Sequence, residues 1–324
     1  MRVLLLLTSA AAVDPTWSSV HLADAALRVG LPLRVFEPGD FEITRAGRLV
    51  ARAWCFEPPS FGVPSLAGAI AGRAAPRRYV ELAPGDTLFM RVNPFTAGVE
   101  QLCLMAQEHG VSVINDPAGV SRTRGKSWLA TLPAAIPRPA TLVTTSRASA
   151  HAFAEQAPGP LVVKPAHGSG GRGVTLVPPR RPERLDEALV LAGIGPSHVV
   201  VQEYLEEARD GEKRLVWVDG TILGGYRRMR AQGDFRHNLK QGATPTACTV
   251  DGADHALAAA LAPHLRRNGI RLAGLDVIGG RIIEVNTLNP GGIHWSDTLA
   301  APGSARVADA ALSTLLAPPS PPTP

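Results

Sequence analysis

The sequence predicts a chain of mixed α/β and α+β character, and three observations carry the prediction. A β-α-β pattern opens the chain. Two pairs of apolar runs are joined by the tight-turn dipeptides Asp219-Gly220 and Gly279-Gly280. A third pair, Leu161–Lys164 and Val174–Val177, is joined by a loop with four glycines in six positions. The first pattern demands a parallel pairing with a helical crossover; the other two demand neighbouring antiparallel strands.

Residues 2–7 read as a buried strand, 18–29 as a helix and 33–36 as the next strand, which suggests a small parallel sheet. The opening MRVLLLLTSAAAV has only one Arg before its short apolar run, followed by Asp14, so a buried strand explains it better than a signal peptide. No GxGxxG follows this strand, so no dinucleotide fingerprint is supported. Residues 86–92 read as a strand, 97–109 as a helix and 111–114 as a strand. The loop Asn115-Asp116-Pro117 places a boundary near residue 120. A short helix is expected at 125–132, then Pro-punctuated strands. Val199–Leu205, Arg214–Val218 and Thr221–Tyr226 read as strands, 252–268 as an amphipathic helix, and Leu272–Ile278 with Arg281–Asn286 as a hairpin. Residues 230–246 lack periodicity, as a functional lid would. Residues 317–324, APPSPPTP, should form a disordered tail. The expected segments are 1–120, 121–195, 196–316 and the tail.

Hydrophobic residues make up 45% and charged residues 19% of the chain, which excludes disorder as the default. The net charge of +5 comes from scattered arginines rather than a basic stripe, so a nucleic-acid partner is not supported. No run approaches the roughly 20 apolar residues of a membrane span. Cys55, Cys103 and Cys248 form no CxxC pair, which argues against metal or redox motifs and suits a reducing cytoplasm.

Chemistry concentrates in four places. In Val163–Gly173, glycines 168, 170, 171 and 173 with Ser169 let backbone N–H groups close on an anion, and Lys164 ends the preceding strand within reach of a phosphate. Arg124-Gly125-Lys126-Ser127 resembles the end of a P-loop, but the required first glycine falls on Val120, so the spacing fails. Asp276, Glu284 and Asn286 are polar residues in apolar strands, costly unless paired or bound to a cation. Glu284 and Asn286 share a face. A two-residue turn at Gly279-Gly280 would put Asp276 on the other face, whereas a three-residue loop would set it across from Glu284. Three such oxygens would suit Mg²⁺. Arg214 and Arg228 flank the Asp219-Gly220 turn and would clamp a phosphoryl or carboxylate group. Gln202-Glu203-Tyr204-Leu205 would give backbone contacts to adenine, with Glu212 on ribose hydroxyls.

Together these runs resemble the ATP-grasp superfamily, and within it the prokaryotic glutathione synthetase family, over roughly residues 86–295. The matching runs are Phe89-Met90-Arg91 with Asn93-Pro94, Ile114–Pro117, Lys126, Val163–Pro165 with its glycine loop, Gln202–Leu205, Asp210–Arg214, Arg228, Arg236–Leu239, Gly274–Gly279 and Glu284–Asn286. The resemblance implies an N-terminal pre-ATP-grasp domain with a small parallel sheet, then an ATP-grasp fold of two α+β lobes gripping ATP. It implies nucleotide contacts from Lys126, Lys164 and the glycine loop, and from Gln202, Glu203, Tyr204, Leu205 and Glu212. Mg²⁺, with Mn²⁺ as the alternative, would sit on Asp276, Glu284 and Asn286. Arg214 and Arg228 would steady an acyl-phosphate. Arg91, Asn93, Arg236, Asn238, Asn289 and Gly291 would meet the substrates.

The chain departs from the family pattern at identifiable positions. Asn93 stands where the family has an acidic residue, Phe95 for its second proline, Gly125 for its Glu, His237 for its Gly, and Leu288-Asn289-Pro290-Gly291 for its Thr-Ser-Pro-Thr. The expected activity is a carboxylate–amine ligation, of γ-glutamylcysteine with glycine or of another peptide or amino-acid pair, in a possible dimer or tetramer. A non-catalytic ATP-binding module would lack the metal ligands and phosphate lysines, and both are present.

Overall fold

The computed structural model of the chain describes residues 1–168 and 170–318. Ser169, expected at the nucleotide, and residues 319–324 of the expected tail lie outside them.

The apolar run at the start forms β1 (Val3–Leu7), buried on both faces as a central parallel strand must be. It is followed by α1 (Ser18–Arg28) and β2 (Leu33–Phe36), which pairs parallel to β1. Three strands then follow that the sequence did not signal: β3 (Phe41–Ile43), β4 (Leu49–Phe56) and, after α2 (Val63–Ala71), β5 (Arg77–Glu81). They extend the expected parallel sheet to a seven-stranded mixed one. β4 pairs antiparallel with β2 and carries β3 and β5. Its partners escape sequence reading because they are edges; β5 buries only Val80 of its five residues. On the other side of β1 lie β6 (Thr87–Arg91) and, beyond α3 (Ala97–Glu108), β7 (Ser112–Ile114), all parallel.

Two short helices, α4 (Pro117–Thr123) and α5 (Ser127–Ala130), lead into a four-stranded sheet. Its elements are β8 (Thr141–Thr144), α6 (Arg147–Gln156), β9 (Leu161–Pro165), β10 (Thr175–Val177), α7 (Pro182–Leu191) and β11 (Val199–Glu203), in strand order β10-β9-β11-β8. β11, which lies beyond the boundary expected at 195, sits in the middle of this sheet. The third sheet, β14-β13-β12-β15-β16, is antiparallel. It consists of β12 (Glu212–Val218), β13 (Thr221–Met229), β14 (Thr244–Thr246), β15 (Leu272–Ile278) and β16 (Arg281–Asn286), with α8 (Gly252–Arg267) on one face. α9 (Ile293–Thr298) and α10 (Val307–Leu316) close the chain against α1. Of the expected lid, 230–246, residues 230–243 hold only a single 3-10 turn at Leu239–Gln241, whereas Thr244–Thr246 form β14 and pair with β13.

The sheets do not have equal independence. Apolar residues of the first and third sheets share cores: Leu4, Leu88, Trp217 and Leu275 in one, Val3, Phe89, Val216 and Leu272 in the other. The four-stranded sheet has its own core of Leu161, Val163, Val177, Leu189 and Val201. Buried Asn115 stitches the two joined sheets. Its Nδ2 donates to Leu272 O (2.7 Å) and Thr287 O (2.9 Å), and its Oδ1 accepts from the N–H groups of Arg271 and Leu272 (both 2.8 Å). Replacing Asn115 with Ala removes four buried hydrogen bonds, and urea denaturation should register a loss of about 2–4 kcal/mol. Asn115→Asp, which offers no donor to the two carbonyls, should lose at least as much; unchanged midpoints in both would refute this stitch.

Candidate active site

The three sheets meet at a cleft of about 410 Å³. One wall is a row of charged side chains laid straight across the third sheet by strand register. Glu212 on β12 stands opposite Arg228 on β13, Arg214 on β12 opposite Asp276 on β15, and Asp276 opposite Glu284 on β16. Residues two apart share a face, so Asn286 joins Glu284. The Gly279-Gly280 turn has two residues, both at positive φ (+54° and +73°), with Ile278 opposite Arg281. That turn alone would set Asp276 and Glu284 on opposite faces. A bulge at Ile283 inserts one extra residue and returns Glu284 to the face of Asp276. Ile283 itself reaches the cleft.

Asp276 is the hub of this wall. Its Oδ2 accepts from Arg214 Nη2 (2.8 Å) and Asn286 Nδ2 (3.1 Å), and its Oδ1 from Arg214 Nε and Arg228. Burial alone would raise the Asp276 carboxyl, but the two guanidiniums reverse this and hold it below the usual range. The same attraction keeps Arg214 above its ordinary value despite burial. Arg228 also donates to Glu212. Glu212 faces His237 Nδ1 at 3.8 Å, and His237 Nε2 lies 2.9 Å from Ala208 O.

The opposite wall comes from the four-stranded sheet. Lys164 on β9 donates to Gln202 Oε1 on β11 (2.8 Å), and Gln202 Nε2 donates to Thr141 Oγ1 on β8 (2.9 Å). Burial pushes Lys164 down to about 8, against the pull of Glu284 and with the repulsion of Lys126. Lys126 Nζ donates to Gly168 O (2.9 Å) and lies 3.8 Å from Glu284 Oε1. The glycine loop arches over these amines, and the 230–243 segment packs on it. Arg236 Nη1 donates to Gly171 O and Gln241 Nε2 to Gly170 O, both at 3.2 Å. A Cβ on Gly171 would stand 2.5 Å from Asn238 Oδ1, so a side chain there would have to push the Asn238 amide aside.

The cleft thus collects Lys126, Lys164, Gly168, Gly170, Gly171, Gln202, Glu203, Tyr204, Leu205, Glu212, Arg214, Arg228, Asp276, Glu284 and Asn286. Asn93, Arg236, Asn238, Asn289 and Gly291 line it too. Two expected residues stand elsewhere. Gly173 backs the loop, against the Pro165 ring. Arg91 is buried behind the cleft, donating to Pro290 O (2.8 Å) and Ser19 Oγ (2.9 Å); burial lowers it to about 9. It braces the loop carrying Asn289 and Gly291 instead of lining the site, a correction to its expected substrate contact. Sequence reading gave no role to His167, Arg172 or Ile283, which also line the cleft. Ile283 was hidden because nothing in an apolar run marks a bulge.

Glu284 and Asn286 offer hard oxygen donors toward the cleft, since Asn286 turns its Nδ2 to Asp276 and leaves its Oδ1 outward. They fit a small divalent cation. Asp276 is engaged by two arginines and one amide, and among the described residues no three His, Cys, Asp or Glu side chains gather as a metal site.

Solved structures with this fold include a D-cycloserine synthetase, with a TM-score of 0.65 at 21% identity, covering 97% of this chain and 99% of that one. The VanG D-Ala:D-Ser ligase from Enterococcus faecalis gives 0.63 at 15% identity, covering 98% and 99%. Glutathione synthetase of Synechococcus elongatus is 30% identical over 322 residues, covering 92% of this chain and 94% of its own. That of Parasynechococcus marenigrum is 30% identical over 311 residues with the same coverage. Fold, cleft and relatives define an ATP-grasp ligase, an enzyme that forms carbon–nitrogen bonds. The family model described as the ATP-grasp domain of prokaryotic glutathione synthetase matches residues 126–300, and the chain belongs to that family.

Nucleotide phosphates entering beside Lys164 should restore its charge. Binding of ATP should then take up a proton above about pH 8 and weaken as pH rises toward 10.5, the ordinary lysine value. Calorimetry in two buffers of different ionisation heat reads this uptake directly. Lys164→Met should abolish it; equal uptake in the variant would refute the assignment.

Proposed function

We propose that the enzyme activates a carboxylate substrate with ATP as an acyl-phosphate and captures it with an amine, yielding an amide, ADP and phosphate. The observation that carries this reading is the charged row facing two lysines across one cleft. Such a site neutralises a triphosphate and still has directed guanidiniums for the group in transfer.

Lys126, Lys164 and the N–H groups of the glycine loop hold the phosphates. Tyr204 and Leu205 flank the adenine, and Glu212 accepts from the ribose hydroxyls. Arg214 and Arg228, fixed in direction by Asp276, meet the equatorial oxygens of the transferring phosphoryl group. Glu284 and Asn286, with Asp276 beside them, would hold Mg²⁺ or Mn²⁺, which would supply charge neutralisation to the nucleotide phosphates. The substrate carboxylate oxygen attacks γ-phosphorus, and ADP leaves with the P–O electron pair. The amine, as its free base, then attacks the acyl carbon. The C–O bond breaks toward phosphate, and the nitrogen's surplus proton leaves with phosphate or to solvent. The 230–243 lid keeps water from the activated ester. A cytoplasmic setting agrees with three free cysteines. No described helix is long and apolar enough to cross a membrane.

ADP release measured over paired carboxylates and amines, starting with γ-glutamylcysteine and glycine and with mass detection of product, tests the reaction. Phosphorylated product without amide would overturn it. Glu284→Gln leaves the arginine ion pairs intact and should cut kcat by about 100-fold or more with unchanged thermal unfolding. Asp276→Ala should lose activity and also about 3–5 kcal/mol of stability, because two buried guanidiniums lose their counter-ion. Full activity in both variants would end the proposal.

A further inference from the structure

A second recess, of about 350 Å³, opens beside the main cleft and shares Glu284, Asn286 and His167 with it. Arg124, Pro94 and Phe95 line the recess alone. It is assembled from the β6–α3 connection, the segment before α5, the glycine loop and the residues after β16. Four departures from the family pattern, separate in sequence, converge on it: Asn93, Phe95, Gly125 and Leu288.

Their combined effect is physical. Two positions where the family carries acids hold an amide and a glycine, so negative charge is withdrawn from one place. Arg124, half-buried there, donates Nη1 to Phe95 O and stands 5.1 Å over the Phe95 ring. No carboxylate among the described residues accepts from it. Its guanidinium is therefore held in place by an aromatic face and a carbonyl, with no ion pair among the described residues. Gly125 sits at φ +94°, and a Cβ there would meet His167 Nδ1 at 3.0 Å and Ala166 O at 3.2 Å. A side chain at 125 would be strained at that φ and would press on His167.

Resting on the ligase reading above, we propose that this recess binds the amine substrate. That substrate is an amino acid or short peptide with a free carboxylate and an apolar side chain. Arg124 holds the carboxylate, Pro94 and Leu288 pack against the apolar body, and the amino group emerges at Glu284 and Asn286, where the acyl-phosphate forms. Glycine, with no side chain, leaves the apolar walls uncovered and is a poor occupant.

The test uses the full chain with ATP and the carboxylate substrate that supports ADP release. Hydroxylamine serves as the reference acceptor, against the twenty amino acids and their carboxamides. Apolar amino acids such as leucine and phenylalanine should exceed glycine in kcat/KM by about tenfold or more, and the carboxamide of the best one should show a KM at least tenfold higher. Arg124→Ala should raise the KM of the free acid about tenfold, with a smaller change in kcat, and bring the acid-to-amide ratio toward one. A wild-type enzyme that uses glycine as well as leucine, or amides as well as acids, overturns the assignment, as does an unchanged ratio in Arg124→Ala. The wild-type comparison decides the matter should that variant not fold. Absence of hydroxamate and ADP with every carboxylate would instead overturn the ligase reading.

Discussion

Asp276 is the constraint on which the site depends. A lone buried carboxylate would protonate, and two buried guanidiniums without an anion would be expelled or unfold the sheet. Placed together, with Asn286 filling the remaining acceptor position, they form a compensated cluster in the middle of an antiparallel sheet. The geometry follows from register, because directly opposed residues on adjacent strands share a face at about 5 Å. Arg214 and Arg228 are thereby aimed at the cleft before any substrate arrives. A flexible pair of arginines on a loop would pay rotamer entropy at the moment of reaction; these two have already lost it on folding.

That rigidity has a counterpart. The first and third sheets are welded by common cores and by Asn115, whereas the four-stranded sheet keeps a core of its own. Relative motion is easiest where no apolar surface must be exposed, and here that is between the four-stranded sheet and the welded pair. Lys164 and the glycine loop ride on the four-stranded sheet. The arginine row and the cation donors ride on the fixed part. Closure would then bring polyanion ligands down onto a preset wall, which is how a cleft admits ATP and afterwards excludes water.

Much of this was legible from sequence, for reasons that differ by element. The hairpin of β15 and β16 is bounded by two glycines and an apolar alternation, so its limits read directly. Its charged residues stand out because carboxylates are rare in such runs. The glycine loop is visible because few backbones need so many glycines. The mutual facing of Asp276 and Glu284 was not legible: it hangs on a bulge at Ile283, and bulges leave no compositional trace. Arg91 reads as a ligand from its motif, yet packing turns it onto Pro290 O, a fact that depends on a chain segment about 200 residues away. The edge strands β3 and β5 were missed since exposed edges carry little hydrophobic pattern.

The same contrast explains why reaction class is easier to read than substrate. The groups proposed to handle phosphate lie on three strands, the glycine loop and the segment before α5, each a short local motif with its own signature. The acceptor recess has no such motif. Asn93, Phe95, Gly125, His167 and Leu288 are single residues on four segments, each unremarkable alone, and only the fold makes them one surface. A change at any one of them alters little of the backbone, because each sits in a loop. A change in all of them alters what the recess attracts, by removing acidic groups from around Arg124. Specificity can therefore drift within this architecture while the arginine row and Lys164, locked by sheet register and burial, stay fixed.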